Sequence, residues 1–172
     1  MSLDTMHDLL VAQLKDLYSA EKQITRALPK LARAATTEAL ATAFRDHLVE
    51  TEGQIERLDQ IFLALEESPL GRRSKGMGGL LAEGDETMDE QGEPGVVDAG
   101  LIADAQRVEH YEIAGYGSAK ALAQLLGHEK IARLLEETLK EEIATDRKLS
   151  EIAESEVNPR AVLTGATAEY FR

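Results

Sequence analysis

The chain has 172 residues, no Cys, no Trp, only 3 Phe and 4 Tyr, and a net charge of −13. Its 24 Leu, 24 Ala and 22 Glu far outnumber the 15 Val plus Ile, so strong helix formers prevail and one mostly helical domain is predicted. The acidity excludes a general nucleic-acid binder, the lack of Cys excludes disulfides, thiolate nucleophiles and iron–sulfur clusters, and no uncharged run exceeds eight residues, too short to cross a membrane.

Helix 1 is predicted from Asp4 to Arg33, because Leu10, Leu14, Leu17, Ile24, Leu28 and Leu31 recur at helical spacing. Pro29 inside it should kink it. Helix 2 is predicted from Thr37 to Leu65, with Thr36 or Thr37 as cap and Ser68-Pro69 closing it. A Gly-rich segment, 68–97, follows and holds 8 of the 13 Gly if Gly100 is counted; Leu80 to Glu90 can form a short helix within it. Helix 3 is predicted from Asp98, read as an N-cap after Pro94-Gly95, to Leu126, where Gly127 stops it. Helix 4 runs from His128 to Val157 and Asn158-Pro159 ends it. Residues 1–157 thus form the domain and 158–172 a C-terminal tail. No basic residue precedes Lys15, so no signal peptide is read and a cytoplasmic location is expected.

Helices 1 and 2, and helices 3 and 4, are joined by short links that make antiparallel hairpins. The long segment between the hairpins can cross the full length of a bundle and leave helices 2 and 3 parallel. That is the ferritin-like four-helix arrangement, an all-α fold of two hairpins joined by a long crossover.

The inward stripe of such a bundle should be apolar, yet each helix breaks the rule near its middle. Glu21 falls between Leu17 and Ile24. His47 and Glu50 interrupt the stripe of helix 2, Glu109 and Glu112 that of helix 3, Glu142 and Asp146 that of helix 4. Burying a bare carboxylate costs several kcal/mol or shifts its pKa until it is neutral. Glu21 lies 14 residues before Ala35 and Glu50 lies 15 after it; Glu112 lies 15 before Gly127 and Glu142 lies 15 after it. At ~1.5 Å per residue the carboxylates fall in one layer. Any one of them alone reads as an ordinary surface charge; the layer as a whole needs a compensating cation. Oxygen-rich donor sets with an imidazole suit iron or manganese, and zinc can enter the same site. The predicted shell for two metal ions per chain is Glu21, His47, Glu50, Glu109, Glu112, Glu142 and Asp146, with Glu50 and Glu142 as the bridging or chelating pair. Tyr18 and Tyr116 flank the layer and can hydrogen-bond ligand carboxylates. His7, His110 and His128 read as surface or cap residues. Gly115 and Gly117 weaken helix 3, for which close helix contact is the ordinary reason.

The stretches LKDLYSAEKQI (14–24), FRDHLVETEGQIERL (44–58), RVEHYEIAGYGSA (107–119) and TLKEEIATDRKLSEIAE (138–154) resemble the YciF/YciE-type ferritin-like proteins of bacteria. The resemblance covers residues 4 to 157. It implies a ferritin-like four-helix bundle, a homodimer, a stress-response association and a di-metal site, but no defined reaction. The chain is also similar to rubrerythrins in the Glu109/Glu112 and Glu142/Asp146 spacings, with Asp146 in place of a His and the His47–Glu50 order reversed. Two function classes follow: an oxidoreductase in which paired iron ions meet peroxide or dioxygen, and a non-enzymatic stress protein whose metal only stabilises the bundle. A second apolar stripe on helix 2, Phe44, Leu48, Ile55 and Phe62, is expected to be deeply packed or to face a second copy of the chain.

Overall fold

The computed structural model describes residues 3–164, and these contain no strand. Four long helices dominate: α1 Met6–Ala34, α2 Glu38–Ala64, α4 Pro94–Leu125 and α5 Glu129–Ile152. Two shorter ones are α3 Lys75–Asp89 and α6 Asn158–Thr164, the latter following a π-helical turn at Ala153–Val157. α1 packs on α2 and α4, and α5 packs on α4 and α2, so the four long helices close a square. Along α2 and α5, Arg57 meets Thr138 while Asp46 meets Lys148, an antiparallel pairing. Along α1 and α4, Gly115 abuts Leu17 while Ala105 and Leu28 line one cavity, again antiparallel. With α1 and α2 joined by a three-residue link, α2 and α4 run in the same direction.

Each helix end has a local cause. Thr5 and Asp8 form a reciprocal capping box at the start of α1, the Asp8 amide donating to Thr5 Oγ1 at 3.1 Å. Two residues past the end of α4 at Leu125, Gly127 turns the chain with a φ of 76° that only glycine adopts without strain, and the His128 amide bonds back to the Ala123 carbonyl at 2.9 Å. Gly115 answers to close contact, since a Cβ there would lie 2.7 Å from Leu17 Cδ2; Gly117 has open space around it. α1 continues through Pro29.

Three boundaries differ from expectation. α4 starts at Pro94, not Asp98: Pro suits the first helical position because its missing N–H needs no partner there, and Glu93 caps it by accepting from the Gly95 amide at 2.8 Å. Asp98 is instead buried and caps α2 from across the chain, accepting the Thr36 and Thr37 amides at 2.9 Å each and both hydroxyls. Thr37 therefore donates and does not cap α2 with its own side chain. The helix in the crossover starts at Lys75 rather than Leu80 and packs on α4 and α1. Burial of Met77 and the Ser74–Tyr111 hydroxyl pair at 2.9 Å outweigh its glycines. Asn158-Pro159 begins α6 rather than ending the helical run; residues 165–172 of the expected tail lie outside the described residues.

The apolar core comes in two parts. One contains Ile24, Leu28, Phe44, Leu101, Val108 and Leu149; the other contains Leu14, Leu17, Leu58, Phe62, Tyr116 and Leu135. Phe44, Ile55 and Phe62, from the second stripe of α2, are buried within the chain itself.

Because four donors converge on one buried carboxylate, Asp98→Ala should lower unfolding free energy by about 2 to 3 kcal/mol, with Asp98→Asn between the two. Urea denaturation followed by circular dichroism measures both.

Candidate metal centre

Between the two apolar parts lies a polar layer. Glu21 reaches it from α1, His47 from α2, Glu109 and Glu112 from successive turns of α4, and Glu142 from α5; all are buried, with exposures of 0 to 4%. The steps Leu17–Glu21–Ile24 and Leu135–Thr138–Glu142–Thr145–Leu149 keep the period of the apolar stripe, so helix geometry alone drives the charges inward. Ligand atoms of His47, Glu109, Glu112 and Glu142 all lie within 4.8 Å of one another, a spacing that can hold a metal ion. His47 Nε2 is 3.3 Å from Glu109 Oε1, and its Nδ1 is 3.6 Å from Glu50 Oε2. The Tyr116 hydroxyl, itself buried, donates to Glu21 Oε1.

Few of these atoms have a protein partner. Nine buried side-chain N or O atoms among the described residues are unpaired: Glu21 Oε2, both His47 nitrogens, Gln54 Oε1, Glu109 Oε2, and both oxygens of Glu112 and of Glu142. All sit on the inward stripes of this layer. Native proteins rarely leave buried polar atoms without partners, and a cluster of them marks a site for something else. Glu21 faces Glu112, and Glu109 faces Glu142, carboxyl to carboxyl. Two ionised carboxylates cannot hydrogen-bond, so each pair needs a proton or a cation between its members.

The electrostatics agree. Burial pushes the Glu21 carboxyl up to about 7, against the lowering pull of Tyr116 and His47. Burial also raises Glu109, with His47 opposing. It raises Glu112 and Glu142 well above the usual carboxylate range, reinforced by the neighbouring carboxylates. Burial alone would lower the His47 imidazole, but Glu109, Glu50 and Glu21 outweigh it and raise it. Without a cation, the site holds protons.

Of the seven residues singled out from sequence, Glu21, His47, Glu109, Glu112 and Glu142 meet in this buried group. Glu50 and Asp146 stand at its margin. The Glu50 side chain is 46% exposed and accepts from the Thr145 hydroxyl at 3.3 Å; its pKa is lowered chiefly by His47. Asp146 is partly exposed, accepts from Gln106 at 3.0 Å and lies 3.5 Å from the exposed His110. The buried position on that turn of α5 is Thr145, one residue earlier. Tyr18 packs edge-on against Phe62 with Lys22 over its ring, away from the layer. Gln54 lies on the same inward face of α2 as His47, and as a neutral amide it gives no charge signal in the sequence. It is fully buried, and its amide is oriented by donation to Glu141 at 3.2 Å; Arg57 grips Glu141 in turn.

The sequence model described as "Domain of unknown function (DUF892)" matches residues 5–162. The chain belongs to this family. It is 49% identical over 162 residues to Protein YciF of Escherichia coli (strain K12), covering 94% of this chain and 98% of that protein. The crystal structure of the E. coli stress protein YciF superposes with a TM-score of 0.87, covering 90% of this chain and 98% of that one. YcfI of Rhodopseudomonas palustris, 48% identical, gives 0.84 and covers 87% and 95%. A protein of Xanthomonas campestris pv. campestris, 21% identical, gives 0.71 over 90% and 94% and shares the fold. No described helix is long and apolar enough to cross a membrane.

The pKa directions set the pH dependence of the metal-free protein. Glu21, Glu112 and Glu142 bind protons more tightly folded than unfolded, so their contribution is complete below about 4.5 and is lost as pH rises through the raised folded values, about 7 for Glu21. His47 acts in the same sense; Glu50, with its lowered pKa, acts in the opposite sense at acid pH. Metal-free protein should therefore lose stability as pH rises between about 5 and 8. Metal needs ionised carboxylates, so the gain in Tm on adding divalent metal should grow over that range. Thermal melts with and without chelator check both.

Proposed function

We propose that the chain is a ferritin-like four-helix carboxylate protein that binds two divalent metal ions in the polar layer. The observation that carries this reading is the set of nine unpaired buried atoms. Glu21, Glu109, Glu112 and Glu142 would carry four negative charges when ionised, matching two divalent cations, and His47 adds an imidazole. Glu50 is half-exposed with its carboxylate 3.6 Å from His47 Nδ1, and Asp146 lies one position from the buried turn of α5; both would complete the seven-residue shell as outer ligands. Hard oxygen donors with one imidazole favour iron, with manganese and zinc as competitors.

Two ferrous ions held there would supply two electrons together to peroxide or dioxygen. The chain's own residues prepare for this in definite ways. Tyr116 fixes the orientation of Glu21 through Oε1 and leaves Oε2 inward. Burial raises both Glu21 and the Glu112 carboxyl that faces it, and the hydrogen bond between them raises Glu112 and lowers Glu21, so the shared proton of the metal-free pair belongs to Glu112 and would be displaced by an entering cation. Glu109 and Glu50 flank the His47 ring, 3.3 Å from Nε2 and 3.6 Å from Nδ1, without satisfying either nitrogen by a hydrogen bond. The E. coli relative is described as a stress protein, which supports a stress-related role for this chain. A second reading, a purely structural metal, is favoured by the burial of the donors and their origin on all four long helices, since binding energy then becomes folding energy. We also propose a homodimer, for which Val49 and Leu63 on the outer side of α2 are 68% and 81% exposed.

Elemental analysis of protein purified without chelators should give close to two metals per chain, and Glu142→Gln should lower it. No metal after anaerobic reconstitution with ferrous iron would sink the proposal. Rapid ferrous oxidation by peroxide in the wild type, lost in Glu112→Ala, supports the oxidoreductase reading. Oxidation no faster than in buffer, with thermal stability lost on metal removal, supports the structural one. Light scattering at micromolar concentration tests the dimer.

A further inference from the structure

Two small cavities lie end to end beneath α3. The inner one, of about 20 Å³, is walled by Ile24, Leu28, Phe44 and Leu149 and ends on His47, Glu109 and Thr145. The outer one, also about 20 Å³, is walled by Leu80, Gly84 and Met88, with Asp85 and Asp104 at its rim. Ala27, Leu31, Leu81, Ala105 and Val108 line both, so the two share a wall of aliphatic side chains from three helices. Asp85 is half-exposed and pairs with Lys30 at 3.2 Å, which puts the outer cavity at the surface.

We propose that these cavities form an apolar passage that admits a small apolar molecule of the dioxygen class to the His47–Glu109 edge of the cluster. The inference rests on the reading of that cluster as a metal centre. Each cavity has room for one molecule of water size, since about 10 to 15 Å³ suffices for one. Along the aliphatic stretch the lining offers water almost nothing: Thr145 donates its hydroxyl proton to Glu50, and the charged or imidazole side chains stand at the two ends, His47 and Glu109 at the inner one and Asp85 and Asp104 at the outer. Apolar cavities of this kind stay dry and take up xenon or other apolar guests. Hydrogen peroxide would have to leave its hydrogen bonds unmade along the aliphatic stretch, a cost that dioxygen does not meet. The passage therefore sorts the two oxidants before either reaches the metal.

Local sequence is consistent with an open passage. Gly84 is buried, yet a Cβ there would find only Asp104 Cβ, at 4.0 Å. Packing does not demand glycine at this position, and a larger side chain would enter the outer cavity. Leu81, on the same helix, forms the roof of both cavities.

The test has a structural and a kinetic part. Crystals of the wild-type protein pressurised with xenon should show a xenon peak in the inner cavity. Ala27→Leu, which fills the shared wall, should lose that peak; Gly84→Leu should fill the outer cavity. Metal content by elemental analysis should be unchanged in both variants. Loaded with ferrous iron, both should be oxidised more slowly by dioxygen and at the wild-type rate by peroxide. Absence of xenon from the wild-type cavity, ordered water in its place, or dioxygen and peroxide rates that fall together would overturn the passage. The xenon result does not depend on either variant folding. A wild-type protein that takes up xenon but no metal would instead count against the metal centre.

Discussion

Four carboxyls and an imidazole held out of water at the middle of the helices are the constraint on which the other features depend. The two apolar parts of the core flank this layer and supply the packing that keeps it closed. Removing charged groups from water is unfavourable unless they are neutralised, and the protein offers these groups too few internal donors to do so. The layer can accordingly be neutralised in two ways, by protons or by cations. The long helices are the frame that makes either state possible, because rigid elements hold each donor at a set height and rotation.

Helical periodicity made much of this legible in the sequence. Glu21, Glu109, Glu112 and Glu142 each stand where a Leu would suit the stripe, and counting outward from the two short links puts them at one level. Glu50 and Asp146 stand at the margin of the layer rather than inside it, for a geometric reason. A step of three or four residues leaves a helical face ambiguous by a fraction of a turn, and only the neighbouring helix decides which of Thr145 and Asp146 is inside. Gln54 escaped notice because a neutral amide raises no charge penalty; its significance depends on a fixed orientation set by Glu141 and Arg57, two residues on different helices.

The crossover was the least legible part. Its glycines read as a loop, yet α3 forms because it has a surface to lie on. Ser74 bonds through its amide to Ser19 and through its hydroxyl to Tyr111, and Thr87 bonds to Asp104, so both ends of α3 are tied to α1 or α4. These are tertiary contacts between distant residues, which local propensity cannot register. The same holds for Asp98, whose position after Pro94-Gly95 suggests a cap for its own helix while its carboxylate serves another.

That displaced cap bears on how the chain assembles. The amides of Thr36 and Thr37 emerge from a ribosome some sixty residues ahead of the Asp98 that accepts them. Until the second half of the chain arrives, the first hairpin has an unfinished end and presents Glu21 and His47 on a face that no partner helix yet covers. An isolated first hairpin has little to settle into, and commitment of the fold waits for long-range closure rather than proceeding hairpin by hairpin. One aspartate thus ties the end of the first hairpin to the second half of the chain.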